Sequence, residues 1–141
     1  MAVDTIARGM AGAALNGGGS GGSTSADKVS YDGSTSGLSA TNVQGAIDEL
    51  AVKEVAVSGT SPSITGAENT RYLCGEVLSL SFTPSANGIC DVIFTSGSTP
   101  TVLTLPNTVK MPEWFVTEAN MIFEINIADG VYGSVMEWPA T

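Results

Sequence analysis

Four glutamates in the C-terminal third, Glu113, Glu118, Glu124 and Glu137, lie near two tryptophans, Trp114 and Trp138. Paired carboxylates beside sugar-stacking aromatics are the equipment of glycoside hydrolysis, one acid protonating the leaving oxygen while the other serves as base or nucleophile. Acids alternating along a strand more commonly form its solvated face, and that reading is preferred here. Histidine is absent, which removes Ser-His-Asp and Cys-His nucleophilic sites, histidine bases and most zinc or non-haem iron sites. Cys74 and Cys90 have no CxxC spacing and no histidine partners, so a metal centre is not expected around them. They read as two buried thiols. Asp32-Gly33-Ser34-Thr35 starts like a calcium loop but lacks the further acids and the distal bidentate Glu. A turn is expected there, with Asp32 accepting local backbone hydrogen bonds. Neither catalysis nor a cofactor is expected. Trp114, following Pro112, is a candidate platform for a glycan, and Tyr72 is a second; the competing reading for an aromatic, core or interface, is preferred for both Trp114 and Trp138.

The five cations, Arg8, Lys28, Lys53, Arg71 and Lys110, are scattered through a protein of net charge −9. Phosphate neutralisation needs clustered Lys and Arg, so nucleic acid is excluded as a partner. Acidity of this kind keeps a surface soluble. The N-terminal MAVDTIARGMAGAAL has no basic leader, and Asp4 and Arg8 interrupt its apolar stretch, so neither a signal peptide nor a membrane span is expected.

Four segments must position these residues. Residues 1–15 read as a short anchor helix, with Ile6, Ala7, Met10 and Ala14 as its docking residues and Gly9 and Gly12 weakening it. Residues 16–30 form a flexible Gly/Ser linker; its NGGGSGGSTSA stretch has a reach of roughly 17 to 20 Å. GGGSGG is not a phosphate loop, because no Gly-Lys-Ser/Thr opens a helix after it. Residues 31–54 hold a turn and a short helix. Residues 55–141 read as an antiparallel β-sandwich of six to eight short strands, jelly-roll-like in arrangement, making the protein mainly β. Asp129-Gly130 predicts a type I′ hairpin that sets Ile127 opposite Tyr132, Ile125 opposite Ser134, Phe123 opposite Met136 and Met121 opposite Trp138. Asn87-Gly88 predicts a second hairpin, with Phe82 opposite Ile93 and Leu80 opposite Thr95. Thr101 to Leu105 reads as a strand, and Val109 to Val116 as one interrupted by Pro112.

In YDGSTSGLSATNVQGAIDEL, Tyr31 to Leu50, Thr41 and Gln44 have the spacing of a capping box. Helix is predicted from near Asn42, with Val43, Ala46, Ile47 and Leu50 on one face and Gln44, Asp48 and Glu49 on the other. So short a helix is marginal alone and needs a partner for its apolar stripe. This stretch resembles an element that recurs in bacteriophage tail-fibre and head-fibre proteins, where it joins an attachment segment to a trimeric β domain. ENTRYLCGEVLSLSFTP and INIADGVYGSVMEW resemble, more loosely, the β domains of small phage structural proteins. Gly45 departs from the family pattern and weakens the helix by about 0.5 to 1 kcal/mol. The resemblance implies a homotrimer on the capsid surface of a virion: a head fibre or capsid decoration protein, short for a tail fibre, with the major capsid protein or another virion protein as partner. Val43, Ala46, Ile47 and Leu50 would join three copies, and residues 1–15 would anchor them. The alternative is a tail-associated adhesin for a cell-surface glycan.

Overall fold

A computed structural model describes residues 24–141 of the protein. The anchor residues Ile6, Ala7, Met10 and Ala14, and most of the Gly/Ser linker, lie outside the described residues. The described residues divide into two compact units, one ending at Glu49 and the other spanning Leu50–Thr141.

The described part of the first unit opens with a 3-10 turn, Ala26–Lys28. Val29 to Tyr31 then pair antiparallel with Thr41 to Val43: the Tyr31 N–H donates to the Thr41 carbonyl (3.0 Å), the Val43 N–H donates to the Val29 carbonyl (2.9 Å), and Ser30 faces Asn42. Residues 26–30, placed in the linker by composition, therefore belong to local structure. Helix α1, Val43–Leu50, follows at once. Its cap is Asn42, whose Oδ1 accepts the Gly45 N–H at 2.7 Å. The expected capping box of Thr41 and Gln44 is thus displaced by one residue, because Asn42 is the position from which a side chain reaches the third helical amide. Gln44 instead donates to Asp48 Oδ1 along the helix, at 2.9 Å.

The second unit is built from eight strands: β1 Lys53–Val57, β2 Ser63–Thr65, β3 Thr70–Glu76, β4 Ser79–Thr83, β5 Ile89–Thr95, β6 Val102–Thr104, β7 Met121–Ala128 and β8 Tyr132–Pro139. They form a five-stranded sheet, β1-β3-β5-β7-β8, and a three-stranded sheet, β2-β4-β6. The protein is mainly β, as expected, but its sheets are not the antiparallel pairs of a jelly roll. β1, β3 and β5 run parallel, as do β2, β4 and β6; antiparallel pairing is confined to β5-β7 and β7-β8.

The physical reason lies in which face each strand must bury. Leu80 and Phe82 of β4 and Cys90, Val92 and Phe94 of β5 all lie in one core. A hairpin across Asn87-Gly88 would put β4 and β5 side by side in one sheet. Instead the turn leads to the other layer, and the two strands address the core from opposite sides. The same step is taken after β1, β2, β3, β5 and β6, so the backbone winds between layers and each strand from β3 to β7 lands beside the one two earlier. The offsets are unequal: 17 residues separate Lys53 from its partner Thr70, and 20 separate Thr70 from Cys90. A coil of uneven turns leaves no periodic signature in the sequence.

Between the layers Tyr72 meets Phe82 edge to face at 5.9 Å, and Phe94 stacks on Phe123 at 5.3 Å. Burying one such aromatic fully is worth about 1.5 to 3 kcal/mol. A buried hydroxyl network closes one corner: Ser96 Oγ donates to Thr101 Oγ1 (2.9 Å), which donates to the Val77 carbonyl (2.7 Å).

The Asp129-Gly130 turn forms as expected, both residues left-handed (φ 52° and 64°) and the Val131 N–H bonded to the Ala128 carbonyl at 3.0 Å. Its register is one residue off the expected one. Ala128 pairs with Tyr132, Ile125 with Val135 and Ile122 with Trp138. Val131 drops out of the ladder because its carbonyl accepts the Lys110 N–H at 2.7 Å, and the Gly133 N–H returns a bond to the Lys110 carbonyl at 3.0 Å. A slip of one residue exchanges the faces of a strand. Val135 therefore packs on the core, while Tyr132, Met136 and Trp138 lie on the opposite, outward face. Between Val109 and Val116 the backbone forms turns and a single bridge, Lys110 to Tyr132, in place of an interrupted strand.

Candidate functional site

The stretch from Tyr31 to Leu50 folds into a hook whose polar residues satisfy one another. Asp32 Oδ1 accepts the Ser34 N–H at 3.0 Å. That bond, with the Ser34 hydroxyl second, holds the Asp32 carboxyl below the usual carboxylate range. The Gly33 carbonyl accepts from the Ser36 and Gly37 amides at 3.1 and 2.9 Å, and the Tyr31 hydroxyl donates to Ser36 Oγ at 2.6 Å. Glycine is required twice. A Cβ on Gly33 would run into the Leu38 carbonyl, and Gly37 is left-handed at φ 74°.

Glu49, from the last turn of α1, reaches back to accept the Ser39 and Ala40 amides at 3.1 and 3.2 Å. The helix is thereby tied to the loop that precedes it. Gly45 also finds its reason, because a Cβ there would stand 3.3 Å from both the Ala40 Cβ and Asn42 Oδ1, crowding the cap. Of the four proposed seam residues Ala46 is buried and Val43 half-buried, while Ile47 and Leu50 are 53% and 67% exposed. The hook thus presents two large aliphatic side chains one turn apart.

The candidate glycan residues part company. Tyr72 is buried in the core at 8% exposure, its hydroxyl accepting the Ala67 N–H at 2.9 Å, so the expectation of a ligand contact there is corrected. The inward face of β3 is the reason: Thr70, Tyr72 and Cys74 share it, and all three are buried. Trp114 is 63% exposed and rests edge to face on Phe115 at 6.4 Å; Phe115 in turn packs on Phe123 at 5.9 Å. Beside it opens a cleft of 380 Å³ lined by Leu103, Leu105, Met111, Phe115, Val116 and Thr117. Trp138, read from sequence as core or interface, is 39% exposed on the outward face of β8.

The four glutamates do not form a catalytic couple. Glu124 and Glu137 project from opposite faces of the β7-β8 ribbon, as their partners Met136 and Phe123 show, and Glu113 and Glu118 are exposed in the segment between β6 and β7. Glu124 is instead part of a cluster that sequence reasoning missed. Arg71 Nη2 donates to Glu124 Oε1 at 3.1 Å and to Asp91 Oδ2 at 3.4 Å, while Asn126 Nδ2 donates to Asp91 Oδ1. The cluster spans β3, β5 and β7, across the line where the sheet changes from parallel to antiparallel. Its signal was Asp91 inside the apolar run Ile89 to Phe94, a carboxylate that needs partners if it is to be buried. Arg71 and Asn126 supply them. Both cysteines are free and buried, and burial pushes both thiols above the ordinary range.

Among the described residues no helix is long and apolar enough to cross a membrane. Comparison with protein-family models, with curated proteins and with solved structures finds no match to this protein.

Proposed function

We propose that this protein is a structural component of a bacteriophage particle, a head fibre or capsid decoration protein rather than an enzyme. In this reading its N-terminal segment docks on the major capsid protein or another virion protein, and its β domain projects from the capsid surface as a homotrimer. The observation that carries the reading is the hook. In YDGSTSGLSATNVQGAIDEL, the stretch that resembles the phage fibre element, Tyr31 and Asp32 brace the turn, Asn42 caps the short helix, Glu49 ties that helix to its approach loop, and the helix offers Ile47 and Leu50 outward. A helix of eight residues has no stability to spare alone, and apolar side chains exposed at helical spacing are what a symmetric seam requires. Val43 and Ala46 would flank that seam. No step of the reading needs a cofactor, a metal or nucleic acid.

The test is to locate the protein on virions by electron microscopy, with particles from a deletion strain as the blank. Density at capsid vertices or capsomer centres that vanishes on deletion is the expected result, and density confined to the tail would replace this reading with the adhesin. The adhesin has one observation in its favour, the exposed Trp114 next in sequence to Phe115 of an open cleft, a ring free to stack on a sugar. Glycan-array binding abolished by Trp114→Ala would support it.

A further inference from the structure

Asn87-Gly88 lies in the turn between β4 and β5, with Asn87 exposed. Asn followed by Gly is the dipeptide most open to deamidation, because glycine has no side chain to hinder ring closure. The Gly88 nitrogen loses its proton and attacks Asn87 Cγ. A new N–C bond forms, the bond from Asn87 Cγ to Nδ2 breaks, and ammonia leaves carrying a proton from solvent. Water then opens the resulting succinimide to aspartate or isoaspartate.

In the folded protein the attacking nitrogen is already committed. The Gly88 N–H donates to Asp129 Oδ1 at 3.0 Å, and the Asp129 N–H donates to the Gly88 carbonyl at 2.7 Å. A carboxylate that accepts a hydrogen bond from an N–H favours its protonated form, so the anion needed for attack is disfavoured. The paired bonds also tie the Gly88 amide and carbonyl to the Asp129-Gly130 turn, which restrains the backbone rotation that ring closure uses. Crowding adds to this: Gly88 is left-handed at φ 68° and lies against the Glu68 side chain, while Gly130, next to Asp129, sits close beneath the Ser85 carbonyl. Asp129-Gly130 is itself prone to succinimide formation through the Asp129 carboxyl, and that carboxyl is occupied by Gly88. The two reactive dipeptides hold each other closed.

We propose that Asn87-Gly88 is a latent deamidation site, that the paired bonds to Asp129 are its lock, and that it reacts only when the two turns separate. Full-length protein incubated at mildly alkaline pH, natively and in urea, followed by peptide mapping with mass spectrometry, tests this. Native protein should convert at Asn87 at least about tenfold more slowly than unfolded protein, the scale of one charge-assisted bond. Asp129→Ala, checked by circular dichroism to be folded, should recover most of that factor. Where it fails to fold, Asp129→Ser, which keeps a short polar side chain in the turn without the charge, takes its place. Hydrogen exchange in the unsubstituted protein gives an independent reading, since the Gly88 amide should be protected. Conversion of native protein at the unfolded rate, a folded Asp129 variant as slow as the original, or an unprotected Gly88 amide would each overturn the proposal.

Discussion

Ile122 stands directly beside Trp138 on the sheet face turned away from the core. That neighbour relation places Val135, three residues before the tryptophan, on the opposite face against the core, and Met136 in the open. Val135→Asp should therefore destabilise the β domain by about 3 kcal/mol or more, as burial of an unpaired charge does, whereas Met136→Asp should stay within about 0.5 kcal/mol. Urea denaturation of the two variants decides between this register and the one a plain two-residue hairpin would impose. The reverse order of effects would favour the plain two-residue hairpin register.

Asn42 and Gly45 form a coupled pair at the start of α1. Asn42→Ala should cost about 1 kcal/mol through loss of the cap. Gly45→Ala, which in an open helix interior gains about 0.5 to 1 kcal/mol, should gain little or nothing while Asn42 is present, since the added Cβ meets the asparagine side chain. In the Asn42→Ala background part of the gain should reappear, the Ala40 Cβ still standing 3.3 Å from the added methyl. Thermal melts of the two single variants and the double variant form the cycle, and additivity would show that the cap does not crowd Gly45.

If Ile47 and Leu50 form a seam, changing both to Asp should yield monomer or aggregate in multi-angle light scattering, against a trimer for the unsubstituted protein. A trimer that survives the change would remove these residues from the interface.

Deletion of residues 1–15 tests the anchor separately, because it leaves the β strands untouched. The shortened protein should retain the far-ultraviolet spectrum and melting behaviour of the β domain and fail to join virions. Undiminished incorporation would place the attachment surface elsewhere.

The thiols of Cys74 and Cys90 should be silent to a colourimetric thiol reagent in native protein at neutral pH and react on unfolding. Burial raises both above the ordinary thiol value, so the unfolded state ionises first. As far as these thiols are concerned, stability is whole below about pH 8.5 and is lost as pH rises from there through the raised folded values. Replacing both with Ala should flatten that alkaline decline. A Cys74–Cys90 disulfide is not expected, because Cys90 is paired with Thr70 and Cys74 lies four residues further along β3, about 13 Å away, well beyond the roughly 7 Å that a bridge spans.

Alternation along the sequence was enough to mark β4, β5, β7 and β8, though it also suggested a strand over Val109 to Val116 that does not form, and within a strand it said which residues share a face: Cys90, Val92 and Phe94 do so as a matter of backbone geometry. Glycine after Asp129 was likewise enough to set the turn, since left-handed backbone is a local property. Which strands lie side by side was a different kind of question. Lys53 finds Thr70, and Thr70 finds Cys90, across offsets of 17 and 20 residues. No local preference encodes such a partner. The backbone changes layer at Asn87-Gly88, and that step brings Phe82 and Phe94 into one core from opposite sheets. The hairpin register was decided in the same way, by Lys110 drawing Val131 out of the ladder, and so was the burial of Tyr72. At the hook the motif itself announced a turn and a capped helix. That Glu49 returns to Ser39 and Ala40, and that Gly45 makes room for Asn42, became visible only in three dimensions, because both depend on where a helix lies relative to the loop before it.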